Sequence, residues 1–205
     1  FSLSGELLYS NFIYNKNFYQ TIKSGSSGSA VLVAPIVMRF LKPASVIDIG
    51  CGTGEWLKEF AKFGVDITGV DGDYVPKEYL QIPQERFIPH DLGRPFIIKK
   101  KFDLAISLEV AEHLAEKRAE SFINNLTDLA PVILFSAAIP GQGGYGHVNE
   151  QWPSYWLNFF SRRGYAAIDI LRKLIWDDEK IEWWYRQNLL IFIGNAEKYC
   201  CFNSI

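Results

Sequence analysis

Three short stretches of the chain carry side chains whose types and spacing could do chemistry. The first is Asp48-Ile49-Gly50-Cys51-Gly52-Thr53-Gly54-Glu55, which follows the apolar run that begins at Val46. Glycines at such spacing let the backbone turn tightly and let a ligand approach the start of the next helix. A dinucleotide fingerprint, G-x-G-x-x-G, would close with a glycine where Glu55 stands, and a carboxylate there would face a pyrophosphate. Asp48 suits a cationic group such as an α-ammonium. Asp71, one β-α unit further on, can accept hydrogen bonds from both hydroxyls of a ribose. The ligand so described has a ribose and an ammonium but no phosphate.

The second stretch is Glu109-Val110-Ala111-Glu112-His113. In a helix, spacings of three and four put Glu109, Glu112 and His113 on one face. The third runs from Ala137 to Trp152, with Gly141, Gly143, Gly144 and Gly146 around His147. It reads as a mobile loop. His147 is the first candidate for a general base, with His113 and Glu112 next. The plainer alternatives are that Glu112 and His113 open a structural helix and that His147 is a surface imidazole.

The elements that must position these residues alternate. Val46 to Gly50 reads as a buried strand, Glu55 to Phe63 as a helix ended by Gly64, and Asp66 to Val70 as a second strand. Arg86 to Pro89 is a short third strand, and Phe102 to Ser107 a fourth, followed by a helix from about Val110 to Leu129. Val132 to Ala138 is a fifth strand. Ala166 to Leu171 and Leu189 to Gly194 complete the set with no evident crossover helix between them. Apolar runs of this length alternating with amphipathic helices predict an α/β fold: a mostly parallel seven-stranded sheet with an antiparallel edge hairpin and helices on both faces. Open sheets of this kind place ligands beyond the C-terminal ends of their strands, where all three stretches fall. Residues 1–40 read as an N-terminal helical cap, with Tyr9, Phe12, Tyr14, Phe18 and Tyr19 packing back on the domain. Within it, Ser24 to Ser29 reads as a mobile Ser/Gly loop before an apolar helix from Ala30 to Phe40. Residues 41–205 read as the ligand-binding domain, with insertions at 139–163 and 172–188.

S-adenosylmethionine fits the ligand described, and at this point a family resemblance appears. Val46 to Glu55 resembles the first motif of class I S-adenosylmethionine-dependent methyltransferases. Asp71-Gly72-Asp73-Tyr74 resembles their acidic ribose-binding position and the turn beside the adenine. His90-Asp91-Leu92 resembles their adenine-reading segment, with Asp91 toward the exocyclic amine, and Ser107-Leu108-Glu109 the segment bordering the methionine part. The resemblance covers residues 40–195. It implies a Rossmann-like methyltransferase fold and a cofactor site made by Asp48, Gly50, Cys51, Gly52, Gly54, Trp56, Asp71, Gly72, Asp73, Asp91, Leu92, Leu108 and Glu109. Taken alone, a glycine turn is only a turn and Asp71 a helix cap; the order and spacing of the four motifs carry the inference.

The string E-x-x-E-H resembles a pattern in quinone-precursor and small-RNA 3′-end O-methyltransferases, where it can hold a divalent metal. That resemblance implies Glu109, Glu112 and His113 as ligands, with His147 a candidate fourth. A narrower resemblance lies in Gly146 to Trp156, Ile175-Trp176-Asp177-Asp178 and Glu182 to Asn188. These segments are similar to small methyltransferase domains beside or fused to glycosyltransferases, in bacterial and large-DNA-virus glycan pathways. It implies methyl transfer to a sugar hydroxyl, rhamnose-type deoxyhexoses included. Rival readings are metal-assisted methylation of a small molecule or an RNA 3′ end, and a catalytically silent cofactor-binding domain that supports a fused glycosyltransferase.

Composition narrows the acceptor. The 205 residues carry a net charge of -2, which lacks the basic field of most nucleic-acid binders. After the fourth strand, Ser107-Leu108-Glu109-Val110 stands where base-modifying enzymes carry Asp/Asn/Ser-Pro-Pro-aromatic, and no Pro-Cys nucleophile occurs, so DNA is disfavoured. The apolar run Ala30 to Met38 is too short to span a bilayer and contains Pro35. Cys51, Cys200 and Cys201 form no metal or redox spacing, which predicts a reduced, cytoplasmic setting. The chain opens at Phe1, as expected of a domain cut from a longer one. Six Trp, ten Tyr and fifteen Phe are an excess that either fills a core or lines a carbohydrate-facing surface.

Overall fold

A computed structural model describes residues 16–194 of the chain. Helix α1 (Lys16–Leu41) precedes β1 (Ser45–Ile49), α2 (Glu55–Ala61), β2 (Asp66–Asp71), β3 (Phe87–Pro89) and β4 (Leu104–Leu108). Then come α3 (Ala119–Leu129), β5 (Val132–Ser136), α4 (Pro153–Arg162), β6 (Tyr165–Ile168), α5 (Leu171–Ile175), α6 (Trp183–Asn188) and β7 (Leu190–Gly194).

The seven strands lie in the order β3-β2-β1-β4-β5-β7-β6. The five strands β1–β5 pair in parallel, whereas β7 runs antiparallel between β5 and β6. This is the expected mixed sheet, with the hairpin at one edge. Side-chain alternation sends Val46, Ile67, Leu104, Ile106, Leu134 and Ile191 to one face, where α1, α2, α5 and α6 pack. Ile47, Ile49, Ala105, Ile133, Phe135 and Phe192 go to the other, covered by α3 and α4. The strand order reverses beside β1, so the loops after β1 and β4 open at the switch point.

Three sequence expectations change. Ser24 to Ser29 is not a loop, because α1 runs through it without a break. A Cβ on Gly25 would lie 2.6 Å from Glu182 Oε1, and Ser29, fully buried, accepts a hydrogen bond from Glu182 N–H at 3.0 Å. The small residues let the segment before α6 approach α1 closely, and that packing overrides their poor helix propensity. The helix expected from Val110 is delayed to Ala119; Ala111–His113 and Glu116–Arg118 form single 3₁₀ turns before it. Between β6 and β7 the chain forms α5 and α6, both too short to leave a periodic signature. Among the described residues, no helix is long and apolar enough to cross a membrane. Tyr9, Phe12, Tyr14, Cys200 and Cys201 lie outside the described residues.

Candidate active site

The glycine loop leaves β1 with positive φ at Gly50, Gly52 and Gly54, values of 91°, 54° and 90°. At Gly50 the space is also needed, because a Cβ would overlap the Val110 side chain. Gly52 differs: nothing stands within 4 Å of where its Cβ would be. Its N–H donates to Asp71 Oδ2 at 2.7 Å, while Gly72 N–H and the Tyr74 hydroxyl donate to Asp71 Oδ1, each at 2.7 Å. One carboxylate at the end of β2 thus ties the turns after β1 and β2 together. Asp48 is buried in β1, and its carboxyl is pushed well above the usual range by burial, then by the charges of Asp71 and Glu55. Burial also raises Asp71, against the hydrogen bonds from Tyr74, Gly52 and Gly72. Two acidic groups held next to each other out of water are what a cationic ligand group would relieve. Thr53 Oγ1 donates to the buried Glu55 at 2.6 Å, which turns that carboxylate away into a local pair.

The remaining predicted cofactor residues fall into different settings. Cys51, Leu92 and Leu108 are buried. Trp56 is 5% exposed and meets the ring of Tyr185 edge-on at 5.2 Å, as part of the core beneath α1. Asp73 and Asp91 are exposed, and Asp91 holds its own turn through Gly93 N–H at 2.9 Å and Arg94 at 3.2 Å.

After β4 the chain turns sharply at Glu109, φ 55°. Its carboxylate accepts from Gln142 Nε2 at 2.8 Å and from Asn188 Nδ2 at 3.2 Å. Glu112 sits in the following 3₁₀ turn with no exposed surface and no hydrogen-bond partner for either oxygen. Burial, then repulsion from Glu109, pushes its carboxyl well up. His147 Nε2 lies 4.0 Å from Glu112 Oε1, and His113 meets the His147 ring edge-on at 4.9 Å. Burial and the neighbouring His147 lower His113. The predicted trio Glu112, His113 and His147 does come together, although not on a helix face. Glu109 stands apart from it, engaged by the two amides.

The post-β5 loop is pinned in place. Glu150 accepts from Gly141 N–H at 2.8 Å, from Gly143 N–H at 2.9 Å, and lies 2.8 Å from His147 Nδ1. Those contacts hold the Glu150 carboxyl below its usual range, with the His147 contact leading. Val148 and Asn149 N–H both donate to Glu112 O, at 2.9 and 3.0 Å. Glu150, Gln142 and Asn188 escape a reading of the sequence. Glu150 carries a weak signal, three residues after the histidine in a glycine-rich stretch, and Asn188 shows only as the last residue of the segment from Glu182.

A family model described as a methyltransferase domain matches residues 29–168, more than half of the 205. The chain belongs to that methyltransferase family. A comparison with curated proteins gives no match. Among solved structures, the methyltransferase domain of bacterial CtHen1 is 21% identical with a TM-score of 0.60, over 83% of this chain and 100% of that one. Magnesium protoporphyrin IX methyltransferase from Synechocystis, solved with S-adenosylmethionine bound, is 19% identical with a TM-score of 0.61, over 94% and 92%. DesVI of Streptomyces venezuelae is 15% identical with a TM-score of 0.61, over 86% and 95%. At such identities these likenesses concern the fold. The methyl donor of this methyltransferase is S-adenosylmethionine, and the residues fit it: an open cradle at Gly52 beside the Asp71 carboxylate, and buried acid at Asp48 for the ammonium.

Proposed function

We propose that this methyltransferase transfers the methyl group to a sugar hydroxyl of a glycan, with rhamnose-type deoxyhexoses the first acceptors to consider. The observation that carries the reading is His147, held by Glu150 at Nδ1 with Nε2 toward Glu112 and His113, in the loop after β5. A carboxylate on one ring nitrogen fixes the tautomer and leaves the other as an acceptor for a hydroxyl proton. The bound donor supplies an electrophilic methyl on a sulfonium. The chain aligns the hydroxyl and removes its proton; alignment supplies roughly 7–11 kcal/mol and a base about 10²–10⁴-fold. Exposed rings support a carbohydrate acceptor: Tyr145 and Trp152 flank His147 in sequence, and Trp176 and Trp183 are also exposed. Flat apolar faces of this kind pack on the C–H face of a sugar. The reading makes a glycosyltransferase, fused or associated, the natural source of the acceptor. Incubation with labelled S-adenosylmethionine and a panel of rhamnose-containing glycans, followed by NMR, should give an O-methyl signal on a sugar. Methylation of a phenol or an RNA 3′ end with every glycan inert would refute it.

A second reading rests on a separate observation. Glu112, His113 and His147 each offer a ligand atom, all within 4.8 Å of one another, and both Glu112 oxygens are buried without a hydrogen bond. A divalent ion would be held by these three side chains and would acidify the acceptor hydroxyl. Calorimetry with Mn²⁺ should then show binding that Glu112→Gln abolishes, and a chelator should stop turnover. Turnover untouched by the chelator, with no Mn²⁺ heat, would leave His147 as the base.

A further inference from the structure

Glu109 and Lys42 are the non-glycine residues with positive φ among those described, and Lys42 only ends α1. Left-handed backbone at a side-chain-bearing residue costs free energy and persists where its surroundings over-determine it. Around Glu109 the surroundings are a ring of hydrogen bonds. Its N–H donates to Ser136 O at 3.0 Å, with Ser136 Oγ at 3.1 Å. Gln142 and Asn188 donate to separate oxygens of its carboxylate, and Asn188 Nδ2 also donates to Gln142 Oε1 at 2.8 Å, which closes the ring. Asn188 is 4% exposed, so these bonds form out of water, where they are stronger.

The ring joins the turn after β4 to the end of β5 with its following loop, and to α6, much further along the chain. Ser136 ends β5, Gln142 belongs to the loop that carries His147, and Asn188 ends α6. One turn earlier on α6, Tyr185 pairs with Ser26 of α1 at 3.0 Å and meets Trp56 of α2. The carboxylate that borders the methionine half of the cofactor in the family resemblance is therefore held by residues outside every cofactor motif.

We infer that Gln142 and Asn188 are positioning residues that fix the Glu109 carboxylate for cofactor binding and couple it, through α6, to the docking of α1. The inference rests on Glu109 being a cofactor-side residue. Calorimetric titration of the full chain with S-adenosylhomocysteine tests it, folding being checked by circular dichroism. Asn188→Ala and Gln142→Ala should each weaken binding about tenfold, as expected for one hydrogen bond to a charged group. Asn188→Asp, which has the same shape but sets a second carboxylate against Glu109, should weaken it at least as much and keeps the test open if the alanine variant does not fold. Adding Glu109→Gln to Asn188→Asp should recover most of the loss, because amide and carboxylate exchange roles. In a Glu109→Ala background, Asn188→Ala should add nothing. Unchanged affinity in the three single variants overturns the inference, as does an equal loss from Asn188→Ala with and without Glu109. Failure of the parent chain to bind overturns the cofactor reading itself, and this inference with it.

Discussion

Asp71→Asn replaces one acceptor oxygen by a donor in a carboxylate that takes three hydrogen bonds at 2.7 Å. With the amide oxygen kept on Gly72 N–H and the Tyr74 hydroxyl, Nδ2 faces Gly52 N–H and strands it. The reverse orientation strands Gly72 N–H, while the Tyr74 hydroxyl can rotate to accept. Either way one N–H loses its partner, a buried one at Gly72 or a partly buried one at Gly52, a cost of about 1–3 kcal/mol. Removing the charge works in the other direction, because Asp71 is one of the groups that oppose ionisation of Asp48. A net loss of about 1–2 kcal/mol corresponds to roughly 2–8 °C in Tm for a domain of this size. Affinity should suffer more than stability, because the same carboxylate is the expected ribose acceptor and also sets the open Gly52 turn. We expect binding of S-adenosylhomocysteine to weaken by at least about tenfold for each charge-assisted hydrogen bond lost. Thermal melts by circular dichroism and calorimetric titration measure the two effects separately. A lowered Tm with undiminished affinity would refute the ribose assignment and leave Asp71 as a tie between two turns.

Three further outcomes follow from particular contacts. A Cβ on Gly144 would overlap the His147 ring; Gly144→Ala should cut turnover by about 10²–10⁴-fold and leave S-adenosylhomocysteine affinity unchanged, and unchanged turnover would place the base elsewhere. Asp48 has its carboxyl raised in the fold, so the folded state holds a proton that the unfolded state releases above its ordinary value of 3.8. Stability of the cofactor-free protein from this group is therefore lost as pH rises above that value. Asp48→Asn should melt higher than the parent at pH 8, with the gap closing on acidification, and should bind cofactor poorly; a gap that widens in acid would show the sign to be wrong. Phe160 is fully buried, stacked on Phe192 at 3.8 Å and edge-on to Phe135 at 5.4 Å. Phe160→Ala should cost about 3–5 kcal/mol in denaturant unfolding without weakening cofactor binding, since it lies on the face away from α2.

The aromatic excess shows how far composition reaches. Phe60, Phe122, Phe160 and Phe192 are fully buried and Trp156 is 2% exposed, so much of the excess fills the core. Trp156 stands inside a segment whose sequence suggested an acceptor surface, yet it packs on Phe135 at 5.5 Å. Tyr145, Trp152, Trp176 and Trp183 stay exposed. Which rings turn inward depends on the face each helix presents to the sheet, and composition does not encode that.

The glycine loop, the acids at Asp48 and Asp71, and the alternation of strands with helices were legible in the sequence because they are local. A buried parallel strand is an apolar run, a tight turn demands glycine, and a ribose ligand sits at a strand end. The Ser/Gly stretch of α1 misleads a local reading because its helix is maintained by Ser29 and Gly25 against the segment before α6. The turn at Glu112 departs from a helix because Glu112 O accepts from Val148 and Asn149 in a loop that comes later in the chain. Sequence by itself determined the class of fold and the donor it takes, and offered His113 and His147 as candidates. Tertiary structure alone decided that Glu150 backs His147, that Glu112 lies buried beside His147, and that Glu109 is held by Gln142 and Asn188. Those are hydrogen bonds between residues brought together by folding, and Asn188 lies 79 positions from the carboxylate it serves.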